Sequence, residues 1–280
     1  MTDPTDERAF SRQREKEMGF VPRTPFEDYR DKYAKFVRME RRNGIIEVRL
    51  HTDDGPALYS SDVHNAWPRM FVDIGQDPDN EVLILTGTGD QWIAGFNSSH
   101  AGGGGAANAL QTLPTDAFYD HLVNDAAKIM ESFIFNIDIP TIACINGPGM
   151  HTEFALMCDI TLCADHTIFN DPHFKFSVVP GDGLGLTFQE LMGLKRSAWY
   201  LYTSDDINAE QAKEMGLVNE VLPLERLSAR GWEVAEMIMQ RPRNVRRLTA
   251  SVLRRPWKQR LTRDLGFHIQ AEMLAARIAQ

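Results

Sequence analysis

The sequence contains no long apolar run, and this absence argues against a segment that spans a membrane. Its first 25 residues are charged from Asp3 onward and include no apolar stretch of the kind that a signal peptide needs. We therefore expect a cytoplasmic protein with no membrane partner. A formal net charge of −9 disfavours polyanions, so no nucleic-acid partner is expected either.

Cysteine is also scarce. The three residues, Cys144, Cys158 and Cys163, all lie in apolar stretches, and none has the paired spacing of a zinc site. We expect buried, inert thiols in a reducing compartment, with no disulfide scaffold and no metal.

What the 280 residues do contain is apolar sequence sufficient for a large core, since 43% of the chain is hydrophobic. Short apolar runs ("EVLILTG", "PTIACING", "ITLCAD") predict buried strands, and they alternate with helical patterns such as that of residues 61–75. This alternation predicts an α/β fold. The pair Asn43-Gly44 separates two alternating segments and predicts the turn of a β-hairpin.

The chain divides into three predicted parts: a polar tail over residues 1–26, a core over 27–222 and a C-terminal helical region over 223–280. A long helix is predicted over 115–136. The glycine run 102–105 lacks the Lys-Ser/Thr ending of a phosphate loop, so we expect a lid or linker there.

One stretch, "FNDPHFKFSVVPGDG", combines a histidine after a proline with an aspartate between two glycines. His173 and Asp182 either form a catalytic pair or serve only their loop. In the second interpretation, a backbone carbonyl satisfies His173 and Asp182 stabilises an Asx-turn.

Several segments, taken in order, resemble the crotonase (enoyl-CoA hydratase/isomerase) superfamily over about residues 30–270. These segments are "EVLILTGTGDQWIAGFN", "PTIACINGPG…EFALMCDITLCADHTIFNDPHF", "VVPGDGLG" and "NAEQAKEMGLVNEVLP". The resemblance implies a spiral of ββα turns with a C-terminal helical trimerisation region. It also implies a homotrimer or a dimer of trimers.

The departures from that family are informative. His151 stands where a glycine is usual, Glu153 aligns with one usual catalytic glutamate, and His173 replaces the second glutamate. An imidazole beside an aspartate suits the removal of a proton from water near neutral pH, and hence hydrolysis.

This pattern resembles the 6-oxocamphor hydrolase type of β-diketone hydrolases, through "HTDDG", "HTE", "PHF…VVPGDG" and "AEMLAA". The resemblance implies retro-Claisen cleavage of a cyclic 1,3-diketone without coenzyme A or another cofactor. It implies a base, His173, oriented by Asp182, and an oxyanion held by His151 and the backbone N–H of Phe96. Further implied site residues are Tyr59 in the pocket, Glu272 from the C-terminal region, and Glu153, which is either catalytic or a support for His151.

Electrostatics supports this implication. Asp53 and Asp54 lie where relatives that bind coenzyme A usually carry Lys or Arg, and acidic residues there disfavour a phosphorylated tail. Two alternatives stay open: a coenzyme A thioester enzyme of the same fold, and a non-catalytic interaction protein. His151 is also a candidate to cap a helix that begins near Thr152.

The segment 241–263 contains nine Lys or Arg and no acid, which raises the alternative of RNA binding. A helix is the simpler prediction. It would bury the face that contains Val245, Leu248 and Val252 and would leave its charges in solvent or at a subunit contact.

Overall fold

A computed structural model describes residues 17–19, 21–97, 114, 116 and 127–278. Most of the predicted tail, the glycine run 102–105 and the first half of the predicted helix 115–136 lie outside the described residues. Within the described part, none of the helices combines the length and the apolar character needed to cross a bilayer.

Most described strands belong to one six-stranded sheet with the order β1-β2-β4-β6-β7-β10. Strands β1 and β2 are antiparallel, and the remaining neighbours in this sheet are parallel. Two short pairs, β3 with β5 and β8 with β9, lie apart from it. The strands are β1 (Val37–Arg42), β2 (Ile45–Leu50), β3 (Ala57–Tyr59), β4 (Val82–Thr86), β5 (Ile93–Phe96), β6 (Thr141–Ile145), β7 (Ile160–Ala164), β8 (Ile168–Phe169), β9 (Ile207–Asn208) and β10 (Glu220–Leu222).

Helices cover the sheet and continue beyond it. The described helices are α1 (Phe26–Lys32), α2 (Ser61–Gln76), α3 (Ala127–Asn136), α4 (Glu153–Leu156), α5 (Leu184–Met192), α6 (Leu194–Thr203), α7 (Ala209–Met215), α8 (Leu224–Met239), α9 (Arg243–Arg260) and α10 (Gly266–Ile278). A 3₁₀ turn (Phe174–Phe176) precedes α5, and a π-helical turn (Leu261–Leu265) joins α9 to α10.

The parallel strands are buried on both faces, which explains their continuous apolar sequences. Ile84, Cys144 and Leu162 face α8, whereas the neighbours that alternate with them face a larger core shared with α2 and α3. The predicted strands and the mixed α/β fold class are confirmed.

Local sequence signals also hold. Asn43 and Gly44 have φ values of 52° and 84°, as the predicted hairpin turn requires. The cysteines are buried and free, and burial raises the pKa of each thiol. The segment "IAGF", for which the sequence pattern predicts no strand, forms β5 because it pairs with β3.

The prediction for α9 is wrong in orientation. Its buried residues are Arg246, Ala250 and Arg254, whereas Leu248 and Val252 are 66% and 70% exposed. Two arginines of α9 point inward because they form ion pairs with carboxylates inside the fold. Arg246 pairs with Glu81 at 2.7 Å, for example.

Candidate active site

His151 is held on three sides, just before the short helix α4. Its ring stacks on Tyr59, with the ring centroids 4.0 Å apart, and its Nδ1 lies 2.9 Å from Glu153 Oε1. The indole N–H of Trp92 donates to the backbone carbonyl of His151 at 3.1 Å. His151 itself has a φ of 53°, an unusual conformation for a residue other than glycine that turns the chain into α4.

The charge on this first histidine is stabilised by its neighbours. Burial alone lowers the pKa of His151, but the carboxylates of Glu153 and Asp182 outweigh burial and raise it. Burial raises the pKa of Glu153, which is 1% exposed. Because Nδ1 faces Glu153, Nε2 is the ring nitrogen of His151 that can donate to a ligand.

His173 lies between two carboxylates. Its Nδ1 is 2.7 Å from Asp171 Oδ1, and its Nε2 is 3.4 Å from Asp182 Oδ2. The same Asp182 oxygen lies 3.6 Å from His151 Nδ1. The structure therefore brings the two predicted histidines together around the predicted aspartate.

The glycines beside Asp182 allow this convergence. A side chain at Gly181 would collide with the backbone of His268 and with Cβ of Glu272, so glycine lets α10 approach. Gly183 has a φ of 117° and lies against Met130 and Glu153. Each glycine thus brings a further element, α10 or α4, up to the Asp182 carboxylate.

The pKa values of the acids and bases in this cluster are strongly shifted. Burial lowers the pKa of His173, but Asp182 and Asp171 outweigh burial and raise it to about 12, so the ring is an imidazolium at neutral pH. Burial opposes ionisation of Asp182, yet His173 and His151 hold its pKa below the usual range. Burial and the nearby Asp182 charge raise the pKa of Glu272 to about 8.

Glu272 is therefore a neutral acid at pH 7, and this has a consequence for stability. Its pKa rises from the ordinary 4.5 in the unfolded chain to about 8 in the folded chain, so the folded state binds more protons between these two pH values. Stability therefore falls as the pH rises from about 4.5 to 8, and the full cost is present above pH 8. We expect Glu272→Gln to raise Tm relative to the parent protein more at pH 9 than at pH 5.5. Differential scanning fluorimetry at both pH values measures this.

Glu236→Gln, at an exposed position of α8, controls for the removal of one carboxylate. An equal change in Tm at both pH values for Glu272→Gln would show that the buried carboxyl is not protonated in the folded protein.

The remaining predicted residues lie at the ends of β3 and β5. Tyr59 and Phe96 are register partners, and their rings are 6.2 Å apart in an edge arrangement. The nearby backbone N–H of Met150 donates to Ile93 O at 3.0 Å, so it is already used within the fold and is not available to an oxyanion. The role of Phe96 N–H as an oxyanion donor stays a prediction.

The structure also bears on the alternative interpretations of His173, Asp182 and His151 as residues that only stabilise a loop or cap a helix. Carboxylates rather than a backbone carbonyl satisfy the ring of His173. Asp182 also accepts a hydrogen bond from Leu184 N–H, so it supports its turn as well as the histidine pair. Thr152, not His151, occupies the N-cap of α4, and no side chain caps that helix.

Asp171 is the site residue that sequence reasoning missed. It is fully buried, and its Oδ1 also accepts from the backbone N–H of His173 at 2.9 Å. The available signal was an acid two residues before the histidine, in "NDPH", where an Asx-type contact is common.

A metal could approach one part of this cluster. Ligand atoms of His173, Asp182 and Glu272 lie within 4.8 Å of one another. A cation there would have to displace protons from both the imidazolium and the neutral Glu272 carboxyl, which weakens binding near neutral pH. That the protein uses no metal stays a prediction.

The electrostatic argument against a phosphorylated tail is weaker in the structure than in the sequence. Asp53 and Asp54 are both exposed, but the Asp54 carboxylate pairs with Arg38. One of the two negative charges is therefore compensated within the chain.

Comparison with known proteins identifies the family. The model of the enoyl-CoA hydratase/isomerase family matches residues 40–280. The chain belongs to this family, within the crotonase superfamily, whose members are enzymes such as hydratases, lyases and hydrolases.

Two curated relatives and two solved structures illustrate its range. The chain is 26% identical over 209 residues to a hydroxycinnamoyl-CoA hydratase-lyase of Pseudomonas fluorescens, covering 74% of each chain. It is 28% identical over 211 residues to the carnitinyl-CoA dehydratase of Escherichia coli K12, covering 74% of this chain and 75% of that one.

Among solved structures, a β-diketone hydrolase from the cyanobacterium Anabaena sp. PCC 7120, bound to (S)-3-oxocyclohexyl acetic acid, superposes with a TM-score of 0.80 at 32% identity. The match covers 91% of this chain and 98% of that one. An enoyl-CoA hydratase/isomerase from Mycobacterium paratuberculosis gives a TM-score of 0.78 at 22% identity, covering 88% and 95%, and shows the shared fold alone.

Proposed function

We propose that this protein is a cofactor-independent hydrolase that cleaves the C–C bond of a cyclic 1,3-diketone by a retro-Claisen reaction. The observation that carries the proposal is the convergence of His151 and His173 on Asp182, each histidine with a further carboxylate behind it. Such a cluster suits the activation of water and the stabilisation of an oxyanion. The 32% identity to a β-diketone hydrolase supports the same assignment.

The ligand of that relative suggests the substrate class. (S)-3-Oxocyclohexyl acetic acid is a keto acid. Joining its carboxyl carbon to the ring carbon beside the ketone and opposite the side chain gives a bicyclic 1,3-diketone, bicyclo[2.2.2]octane-2,6-dione. A bridgehead between its carbonyls prevents enolisation there, so both carbonyls stay open to attack by water. We propose bicyclic diketones as the first substrates to test.

The proton transfers follow from the charges in the site. Water attacks one carbonyl carbon, and His151 donates a hydrogen bond to the oxyanion that forms. Asp182 accepts the proton of the attacking water as His173 gives up its own proton, because loss of the imidazolium charge removes what lowers the Asp182 pKa. The C–C bond then breaks, and the electron pair moves into an enolate that the second carbonyl delocalises. The proton that His173 gives up goes to the enolate carbon, and the proton on Asp182 returns to His173. One water and one diketone thus become one keto acid.

This scheme makes the His173–Asp182 pair, rather than the ring alone, the base for water. The reason is that His173, with a pKa raised to about 12, already carries a proton on each nitrogen. Its role as the proton donor to carbon follows from the same property. The stack of Tyr59 on His151 limits the directions in which that ring can donate.

The experiment is incubation of the purified protein with bicyclo[2.2.2]octane-2,6-dione and a panel of monocyclic 1,3-diketones, without coenzyme A. Release of acid in a pH-stat and formation of the keto acid, identified by mass spectrometry, are the expected results. For enolisable substrates, the enol absorbance should fall as well. No acid release from any member of the panel would contradict the proposal.

A second candidate is a coenzyme A thioester hydratase. The retained Glu153 favours it, as do the curated relatives named for coenzyme A thioesters. Incubation with short enoyl-CoA thioesters, followed by the loss of enoyl absorbance, tests this function on the same preparation. The Glu153–His151 contact argues for the hydrolase, because that glutamate is engaged in holding a histidine.

We also propose that the protein forms homotrimers or dimers of trimers through its C-terminal region. The apolar face of α9 (Val245, Leu248, Val252 and Leu253) is exposed in one chain, which is unusual for four clustered apolar side chains. The arginines of the same helix bind the chain's own acids and backbone, which favours a structural role over RNA binding.

Replacing part of this apolar face should reduce association. We expect Leu248→Asp with Val252→Asp to shift the mass measured by light scattering after gel filtration toward that of one chain, 31.7 kDa. Val21→Asp, at an exposed apolar position far along the chain from α9, is the control. An unchanged mass for the double variant would show that this face does not mediate assembly.

A further inference from the structure

Asp171 touches the ring of His173 on the side away from Asp182. It is fully buried in the loop after β8, and a single oxygen, Oδ1, accepts from both Nδ1 and the backbone N–H of His173, at 2.7 and 2.9 Å. This double contact ties the ring and the main chain of His173 to one carboxylate. Rotation of the ring about χ1 or χ2 would break the shorter bond.

The loop around Asp171 is itself fixed. Val178 N–H donates to His173 O at 2.8 Å, and Phe176 N–H donates to Pro172 O at 3.1 Å. On the other side, Asn170 donates to Asp206 at 2.8 Å. The carboxylate is therefore presented by a rigid turn, not by a free segment.

The second oxygen of Asp171 is an additional observation. Oδ2 is buried and has no hydrogen-bond partner among the described residues. A buried carboxylate that leaves an oxygen unsatisfied destabilises a fold unless a nearby positive charge compensates it. His173 supplies that charge, so the carboxylate and the imidazolium depend on each other.

We propose that Asp171 is a positioning residue of this site: it fixes the ring of His173 with Nδ1–H inward and Nε2 toward Asp182, and it keeps that ring protonated. The inference rests on the proposed function for its catalytic consequence, although its structural part does not. Other ionisable groups of the cluster act on the same ring. Asp182 favours its charge, and Glu272 from α10 does so only above about pH 8, where it ionises, whereas His151 disfavours it.

The proposal explains how one histidine can serve as an acid. A carboxylate behind Nδ1 stabilises the imidazolium, in the way that the third member of a catalytic triad stabilises its histidine. Nε2–H is then held toward the Asp182 side, where the enolate must collect its proton. Asn at position 171 keeps the size and an acceptor oxygen but removes the charge.

The test uses Asp171→Asn in the full chain, with Asp165→Asn as the matched control. Asp165 lies beside His166 at 3.6 Å on the surface and reproduces an Asp–His pair outside the site. NMR of ¹⁵N-histidine-labelled protein reports the protonation of each ring, and His173→Gln assigns the signals of residue 173. We expect the pKa of His173 to fall by about 1–3 units in Asp171→Asn and to stay unchanged in Asp165→Asn.

Kinetics supplies a second readout. We expect Asp171→Asn to lower kcat on the diketone about 10²–10⁴-fold with KM nearly unchanged. Its kcat should fall further as the pH rises through the lowered pKa, because the protonated ring is the active form. Asp171→Glu, which restores the charge, should return the ring to the protonated state and recover part of the rate.

The outcomes separate the two proposals. If the parent protein cleaves no diketone, the proposed function fails, while the NMR titration still decides the role of Asp171. If His173 titrates identically in parent and Asp171→Asn proteins, the positioning role is overturned. Should Asp171→Asn not fold, the parent spectrum decides: Nδ1 of His173 carrying no proton at pH 7 would overturn the proposal, and a protonated Nδ1 supports it.

Discussion

His173→Ala and Asp182→Asn are each expected to lower kcat for diketone cleavage about 10³–10⁴-fold, with circular dichroism unchanged. The first variant removes the proton donor to carbon and leaves Asp182 without its closest charge partner. The second removes the oxygen that accepts the proton of water, 3.4 Å from Nε2. Steady-state rates of acid release at pH 7 measure both effects.

Because the two groups act as one unit, the double variant should be about as slow as the slower single variant. His166→Ala is the control, since His166 is an exposed histidine outside the cluster whose Nε2 bonds to a backbone carbonyl. A rate close to that of the parent protein in either single variant would show that the pair does not perform the chemistry. Rate losses that multiply in the double variant would point to two independent roles.

The elements that the sequence predicted correctly each had a local signal. The apolar runs of β4, β6 and β7, the turn at Asn43-Gly44 and the helix from Ser61 all depend on neighbouring residues. Strand β5 was not predicted because "IAGF" is too short and too rich in small residues to show the pattern of a strand. Its pairing with β3, more than 30 residues earlier, defines it.

The candidate site was predicted in part. His151, Glu153, His173, Asp182 and Glu272 lie together in one cluster, in which the two glutamates are buried and the other three are partly buried. Their catalytic roles stay predictions. What the sequence could not supply is the direction of each side chain. The two nitrogens of His173 contact two different acids, and only the folded structure reveals that the second acid is Asp171.

Helix α9 was predicted incorrectly for a related reason. Hydrophobic periodicity assumes that arginines face solvent, but an arginine turns inward where the core offers unpaired acids and carbonyls. Glu81 and Asp159, which receive Arg246 and Arg254, lie 165 and 95 residues away in the sequence. Such long-range partners leave no periodic signal in the helix itself.

Arg254→Met, which removes a buried arginine of α9, is expected to lower the free energy of unfolding by about 3–5 kcal/mol. The guanidinium is 1% exposed and donates to Asp159 Oδ2 at 2.9 Å, Ile139 O at 3.0 Å and Thr141 Oγ1 at 3.2 Å, and also to Ile137 O. Methionine fills much of the volume but removes the only charge that pairs with Asp159 among the described residues, leaving Thr141 as the neutral donor to that carboxylate. The carbonyls of Ile137 and Ile139 lose the guanidinium donor as well. Urea unfolding at fixed protein concentration measures the loss.

Arg255→Met tests the neighbouring exposed arginine and should change stability by less than about 0.5 kcal/mol. Adding Asp159→Asn to Arg254→Met should recover part of the loss, because the unpaired charge is then removed from the interior. The double variant separates two costs: that of an uncompensated carboxylate inside the fold, and that of lost packing between α9 and the residues at which β6 and β7 begin. If Arg254→Met unfolds at the same urea concentration as the parent protein, the arginine does not hold this helix to the sheet.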